Sequence, residues 1–581
     1  MKTIFTDKVN KNLPLEEYPR PQLKRDCWQN LNGKFDYKIC NKHDMLPEIF
    51  DGEILVPFAI ESMLSGVEKP LNPSDRLWYH RFFSLNENLH NKNIILNFGA
   101  VDWQCKVYIN KTLVGTHTGG YCGFSFDITP YLIDGENELM VCVYDPTEVG
   151  WQQRGKQVNK PHGFWYTATS GIWQTVWLET VNPIHIKAVK LLPDIDKDIL
   201  SVNTVLSEEI DAKMIAKIFD DGTLISETEI DTDTDIKLEK YKLWSPENPK
   251  LYDLQIEIIH NSKVVDTITS YFGMRKFNIA KDKNGITRLF LNNEPYFQRG
   301  LLDQGYWCDS GMTPPTDEAM IFDISEMKRL GFNMLRKHIK VEPMRWYYHC
   351  DRLGMIVWQD MMSGGDYIGD FYAGFLPNIG IKKIKDDKYE KFSRGEKSWR
   401  DDFYRELSEV IEQLYNCVSI YCWVPFNEAW GQFDALKVCK FVRELDSSRV
   451  IDHASGWYDQ GGGDLQSMHK YILPIRMPKL DNRAFVISEF GGYSRIVSDH
   501  TWNEKKAFGY LMFKTKEDLT KAYKKLVERQ VIPLIDKGLC ATVYTQVSDV
   551  ENEVNGIYTY DRSHLKIDED VLIDLNRQMK Y

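Results

Sequence analysis

The chain has 581 residues, 43% apolar and 27% charged, which fits globular packing and, at about 150 residues per domain, three or four domains. A net charge of −12 and a pI near 5.7 exclude the strong positive field that would hold nucleic acid or an anionic membrane. No stretch approaches the roughly 18 apolar residues of a membrane span.

The N-terminus, MKTIFTDKVNKNLPLEEYPRP, has no apolar run of signal-peptide length, so the expectation is a cytoplasmic protein. From about residue 28 to 183 short strands follow one another: WYHRFFSL, NIILNFGA, CKVYINKTLVG, NELMVCVYD and GIWQTVWLE, separated by Gly, Asn, Asp and Pro. Period-2 apolar spacing with such punctuation predicts a β-sandwich. A second strand-rich block of about 90 residues ends near YFGMRKF and has the size of an immunoglobulin-like sandwich. The domains expected are therefore 1–183, 184–276 and 277–581.

After Phe277 apolar runs alternate with helical periodicity, as in DEAMIFDISEMKRLG, DDFYRELSEVIEQLYN and DALKVCKFVRELD. Eight candidate strands appear in order: YFQRGLL, FNMLRKH, GMIVWQD, VSIYCWVPFNE, VIDHASG, LQSMHKY, FVISEFGG and LCATVYTQ. Eight strand-helix units in about 300 residues predict a TIM (β/α)8 barrel. The third connection, from Ser363 to about Trp399, is too long for a plain loop and is expected to shape the barrel mouth.

Reactive groups of a barrel sit at the C-terminal ends of its strands. Glu428 closes the fourth run in WVPFNEAWG, and Glu489 closes the seventh in VISEFGG. Strands four and seven face each other across a barrel, which can bring two carboxyl groups to the separation of about 5 Å that glycoside hydrolysis with retention requires. Either Glu alone has a bland reading, a carboxylate paired at a strand end; the pair is what points to chemistry. Asn427 is a candidate donor to a sugar hydroxyl, Tyr471 a hydrogen-bond donor to the nucleophile, and Arg336 a cation that keeps Glu489 ionised. His338, Asp303, Trp307 and Asp360 are candidate hydroxyl binders or stacking planes, and Trp430, Trp457 and Tyr544 candidate sugar platforms. Each has an equally ordinary role in packing or tethering.

Eleven cysteines are scattered without a CxxC pair or metal-ligand spacing, and most read as small buried hydrophobes. No phosphate loop or dinucleotide fingerprint occurs in its required strand-turn-helix context, so no organic cofactor is expected. An oxygen-bound Mg²⁺ or Na⁺ leaves little linear trace and stays open. Aromatic content of 13% fits sugar-stacking surfaces and β-rich cores alike.

At these residues the chain resembles glycoside hydrolase family 2, the family of β-galactosidases, β-glucuronidases and β-mannosidases. The likeness runs over nearly the whole chain: VYINKTLVGTHTGGYCGFSFDIT and SGIWQTVWLE for a jelly-roll sugar-binding-type module, FGMRKF ending an immunoglobulin-like module, then FNMLRKHIKVEPMRWYYHCDRLGMIVWQD in the barrel. The resemblance implies double displacement, with Glu489 as nucleophile and Glu428 as an acid/base of raised pKa. It also implies that His338, Tyr471 and Tyr544 line the −1 subsite, although Tyr544 stands where Trp is common. The Asn-x-Lys element of β-glucuronidases has no Lys in EVNGIYTYDR, which disfavours glucuronides. β-Galactosides rank first, ahead of α-L-arabinofuranosides or β-galactofuranosides, β-mannosides and β-glucuronides. A transglycosylase and a non-catalytic carbohydrate-binding protein are the competing classes, and a homo-oligomer is expected by analogy.

Overall fold

Alternation of dry and wet side chains shapes the first third of the chain. Gly33–Asn41 buries Phe35 and Tyr37 and exposes Lys34; Gln104–Ile109 buries Cys105, Val107 and Ile109. Successive side chains of a strand point to opposite faces, so each such segment has one face that must be covered. In the computed structural model, which describes residues 1–41, 45–89, 92–210, 212–366, 372, 376–378, 384–471 and 473–581, a six-stranded and a four-stranded antiparallel sheet cover each other. Phe35, Leu77, Val107 and Val141 from one sheet meet Leu96, Phe98, Val176 and Leu178 from the other in a single core. This is the jelly roll.

The second unit pairs a three-stranded sheet (Ile186–Asp194, Ile199–Leu206, Asp233–Lys237) with a four-stranded one (Lys213–Asp220, Thr223–Ile230, Tyr252–His260, Lys263–Phe272). Leu200, Val202, Ala216, Ile218, Leu254 and Ile256 fill the space between them. Its Tyr271 donates to Asp351 Oδ2 at 2.8 Å and its Trp244 indole to the Asp351 carbonyl at 2.7 Å, fastening it to the third unit.

That third unit is an eight-stranded parallel sheet: β1 Gln298–Asp303, β2 Met334–Lys337, β3 Ile356–Asp360, β4 Ile420–Val424, β5 Val450–Ile451, β6 Leu465–Lys470, β7 Ala484–Gly491 and β8 Leu539–Thr545. Strands β3 and β4 are buried along their whole length because helices cover the outer face and side chains fill the inner one. The ladder runs from β5 back through β1 to β8, β7 and β6. Asp464 joins the remaining seam: its backbone N–H donates to Ile451 O, and its Oδ2 accepts from Ile451 N, both at 2.8 Å. A hairpin, Phe277–Lys281 with Thr287–Leu291, places Phe277, Leu289 and Leu291 against Met334, Ile356 and Val486. The three helical segments singled out in the sequence overlap the helices Asp317–Arg329, Lys397–Leu414 and Ala435–Leu445, each running one or two residues past the helix end. The first is capped by Thr316, whose hydroxyl accepts from Ala319 N, with Asp317 and Glu318 at its positive end.

All eleven cysteines are free thiols, eight of them buried. Among the described residues no helix is long and apolar enough to cross a membrane. Part of the long connection after β3 lies outside the described residues.

Candidate active site

The two carboxylates reach the barrel mouth by different routes. Strand β4 ends at Val424, and Glu428 lies four residues beyond it, where its backbone N–H donates to Ser455 O at 3.0 Å. Glu428 (φ 49°) and Ala429 (φ 66°) both occupy the left-handed region, a conformation that non-glycine residues hold only when their surroundings demand it. Glu489 lies inside β7, where pairing with β8 skips from Ile487 to Phe490. The bulge aims the Glu489 side chain off the regular alternation.

A carboxylate oxygen of each Glu and a ring nitrogen of His469 all lie within 4.8 Å of one another. His469 Nδ1 is 2.7 Å from Glu428 Oε1, and its Nε2 is 3.7 Å from Glu489 Oε1 and 3.0 Å from Ser455 Oγ. Among the described residues this trio is also the one His/Cys/Asp/Glu group close enough to share an ion.

Beneath the trio Arg336 is fully buried and acts as the hub. It donates Nη1 to Glu489 Oε1 at 3.0 Å, Nη2 to Asn427 Oδ1 at 2.9 Å, and Nε and Nη2 to the two oxygens of Asp360 at 2.9 and 3.0 Å. Tyr471 donates its hydroxyl to Glu489 Oε2. Burial alone would raise the pKa of Glu489, but His469, Arg336, His338 and the Tyr471 hydrogen bond outweigh it and bring it down to about 2. Glu489 is thus held as an anion, while the partly exposed Glu428 faces it with one oxygen engaged by His469. His338 Nδ1 meets Asp360 Oδ2 at 2.8 Å; burial, then the charge of Lys156, holds its pKa well below the ordinary histidine value.

Several expected site residues stand elsewhere or do other work. Asp360 is fully buried and both oxygens are taken by Arg336 and His338, so it positions them. Asp303 is turned to a separate buried cluster, 2.7 Å from Lys337 Nζ, which also reaches Glu342 at 2.7 Å. Trp307 packs on Phe5, with Arg562 4.1 Å above its ring. Tyr544 is buried edge-on between Phe490 and Tyr523 and forms wall, not platform. Trp430 and Trp457 share a cluster with Ile339, Phe392 and Tyr458 just beyond Glu428.

Three features escaped the sequence reading. His469 shares its strand face with Tyr471 by period-2 alternation, a signal that was there to be used. Tyr510 stacks on Tyr471 at 4.0 Å, permitted by Gly492, where a Cβ would lie 2.4 Å from the Tyr510 ring. The third is the jelly-roll segment 151–167, which reaches the barrel mouth: Trp165 meets Trp430 at 4.8 Å, and Tyr166 donates to Glu553 at 2.5 Å. No linear signal links these residues to a barrel more than a hundred positions away.

Comparison with known proteins matches residues 59–182, 184–275 and 288–489 in turn to the sugar binding domain, the central domain and the TIM barrel domain of the family described as glycosyl hydrolases family 2. A β-galactosidase of Thermoanaerobacter pseudethanolicus is 26% identical over 388 residues, covering 64% of this chain and 47% of the relative. A putative β-glucuronidase of Formosa agariphila is 25% identical over 484 residues, covering 74% and 52%. The chain thus spans about half the length of these relatives. Among solved structures, a Ruminococcus gnavus β-glucuronidase superposes with a TM-score of 0.75 at 17% identity, covering 97% of this chain and 99% of that one, and so shares the fold.

Proposed function

Because this chain belongs to glycosyl hydrolase family 2, we propose that it is a retaining exo-glycosidase acting on terminal sugars of β-glycosides, with Glu489 as nucleophile and Glu428 as acid/base. The observation that carries the reading is that one oxygen of each carboxylate lies within 4.8 Å of the other, which leaves the pair too close for the inverting geometry. Retaining enzymes hold the pair about 5–5.5 Å apart, whereas inverting enzymes leave about 6.5–9.5 Å for an intervening water. In the first step Glu489 attacks the anomeric carbon while Glu428 gives its proton to the departing oxygen. In the second, Glu428 takes a proton from water as it displaces Glu489 and frees the sugar. Arg336 and Tyr471 stabilise the Glu489 carboxylate before attack and again as it leaves, and Asn427, fixed through its Oδ1 by Arg336, keeps its amide N–H groups for the sugar.

β-Galactosides are the first-ranked substrates, supported by the β-galactosidases among the relatives. In the stretch where β-glucuronidases carry Asn-x-Lys, Asn555 donates to Glu553 at 2.9 Å and accepts from Gln546 at 2.7 Å, and the third position is the buried Ile557. That arrangement offers no lysine to a uronate at this place.

The test is nitrophenol release from β-galactopyranoside, β-glucuronide, β-mannoside, α-L-arabinofuranoside and β-galactofuranoside, with the product anomer read by NMR at early times. Retention on one sugar, with loss of at least about 10⁴-fold in Glu489→Ala, is expected. Inversion, or activity that survives the substitution, refutes the assignment.

A further inference from the structure

Two cations of the jelly-roll segment stand at the barrel mouth without an anionic partner among the described residues. Arg154 is 6% exposed, and among those residues its Nε and Nη1 have no hydrogen-bond acceptor. Its guanidinium lies 5.1 Å from the ring centre of Trp430, two residues beyond Glu428. Lys156 is half-buried with its Nζ over Phe164 and Tyr166 at 5.7 and 5.8 Å, and no ion pair or hydrogen bond holds that nitrogen among the described residues. The intervening Gly155 presses on the end of β2: a Cβ there would come 2.9 Å from Ile339 O, the residue after His338. Arg154 therefore sits against Trp430 beyond the end of β4, and Lys156 is near enough to His338, just past the end of β2, for its charge to act on that ring.

The buried arginines of this chain are held in two ways. Arg336, Arg449 and Arg562 each hold a carboxylate at 2.6–3.0 Å. Arg275 and Arg394 meet carbonyl or amide oxygens and no carboxylate, with Arg394 Nη1 left without an acceptor, among the described residues. Burying guanidinium N–H groups without an acceptor is unfavourable, so an orphaned pair in a substrate cleft is what remains when the acceptor belongs to the ligand. Burial lowers the Arg154 pKa to about 10, with Glu148, Asp366 and Asp145 acting on it only from beyond ion-pair distance, and it stays charged at neutral pH. A planar fork with a flexible ammonium nearby suits an oxyanion carrying two or three acceptor oxygens.

Building on the glycosidase reading of this same site, we propose that Arg154 and Lys156 form an anion subsite, so that the preferred glycoside carries a carboxylate or sulfate ester on the cleaved sugar or on its immediate neighbour. The jelly roll then contributes specificity and the barrel the bond cleavage.

The test has a binding arm and a kinetic arm on the full chain. Calorimetry with galactose, galacturonate and galactose 6-sulfate should show at least one anionic sugar binding tenfold or more tightly than galactose. That preference should shrink about tenfold in Lys156→Met and in Arg154→Met and weaken with added salt. The half-exposed Lys156 keeps the arm informative if Arg154→Met does not fold. Kinetics with nitrophenyl β-galactoside, β-galacturonide and β-galactoside 6-sulfate, together with a β-galactosyl-uronate disaccharide, separate an anion on the cleaved sugar from one on its neighbour. Equal binding and equal turnover of neutral and anionic ligands, or a preference unchanged in folded Lys156→Met, overturns the subsite. Anion preference in binding with no hydrolysis of any glycoside would instead overturn the glycosidase reading and leave the subsite standing.

Discussion

His469 touches Glu428 at 2.7 Å through one ring nitrogen and lies 3.7 Å from Glu489 through the other, so in the proposed double displacement it adjoins whichever carboxylate carries the charge. It makes no bond to the sugar in that scheme and is a positioning residue. His469→Ala should lower kcat/KM by about 100-fold, the lower end of the usual contribution of general acid–base catalysis, and should shift the pH–rate profile because both carboxylates lose a neighbour. A uniform loss of folded enzyme with an unshifted profile would mean a packing role only. The two glutamates were legible as a pair because each closes an apolar run. The contacts of Asp303 and Asp360 were not legible because a strand end says where a residue sits along the axis but not whether a neighbour has already claimed its polar atoms. Asp360 shows this most directly, since its two oxygens are consumed by Arg336 and His338.

At the scale of elements, the first residues behave as a strap on the barrel. Thr3 and Thr6 donate their hydroxyls to Asp309 Oδ2 at 2.6 and 2.5 Å, Ile4 N donates to Asp561 O at 3.3 Å, and Phe5 packs edge-on against Trp307 and Phe322. Phe5→Ala opens a cavity among these rings and is expected to cost about 3 kcal/mol, read as a lowered urea midpoint with an unchanged slope. An unaltered midpoint would show the strap to be an ornament of the surface. All eight barrel strands and the three helical segments were readable as periodicity, for their burial on one or both faces is written in residue order. The bulge that turns Glu489 inward and the left-handed step at Glu428 were not, because each depends on a neighbouring strand.

Across the whole molecule, buried acids set the response to pH. Burial lifts Glu61 to about 8 and Asp145 to about 6, each partly opposed by Ser170, and burial lifts Asp549 to about 6 against the pull of Lys566. The native state keeps protons that the unfolded chain releases near pH 4, so their contribution is complete below that pH and is lost as pH rises through about 6 to about 8. The melting temperature should therefore fall between about pH 5.5 and about pH 8.5, and Glu61→Gln should flatten the slope; a melting temperature that rises over this interval would contradict it. The residue order alone determined three successive units, a barrel of eight strands, and a Glu at the end of each of two opposed strands, because period, punctuation and strand count are properties of the chain read locally. Only the tertiary structure decided which polar groups are free to meet a substrate. It put His469 between the carboxylates, spent Asp360 on Arg336, and carried Arg154 and Lys156 from the jelly roll to the mouth of a distant barrel. Those contacts join separate strands and, for Arg154, separate domains, and such partners exist only once the cores have packed.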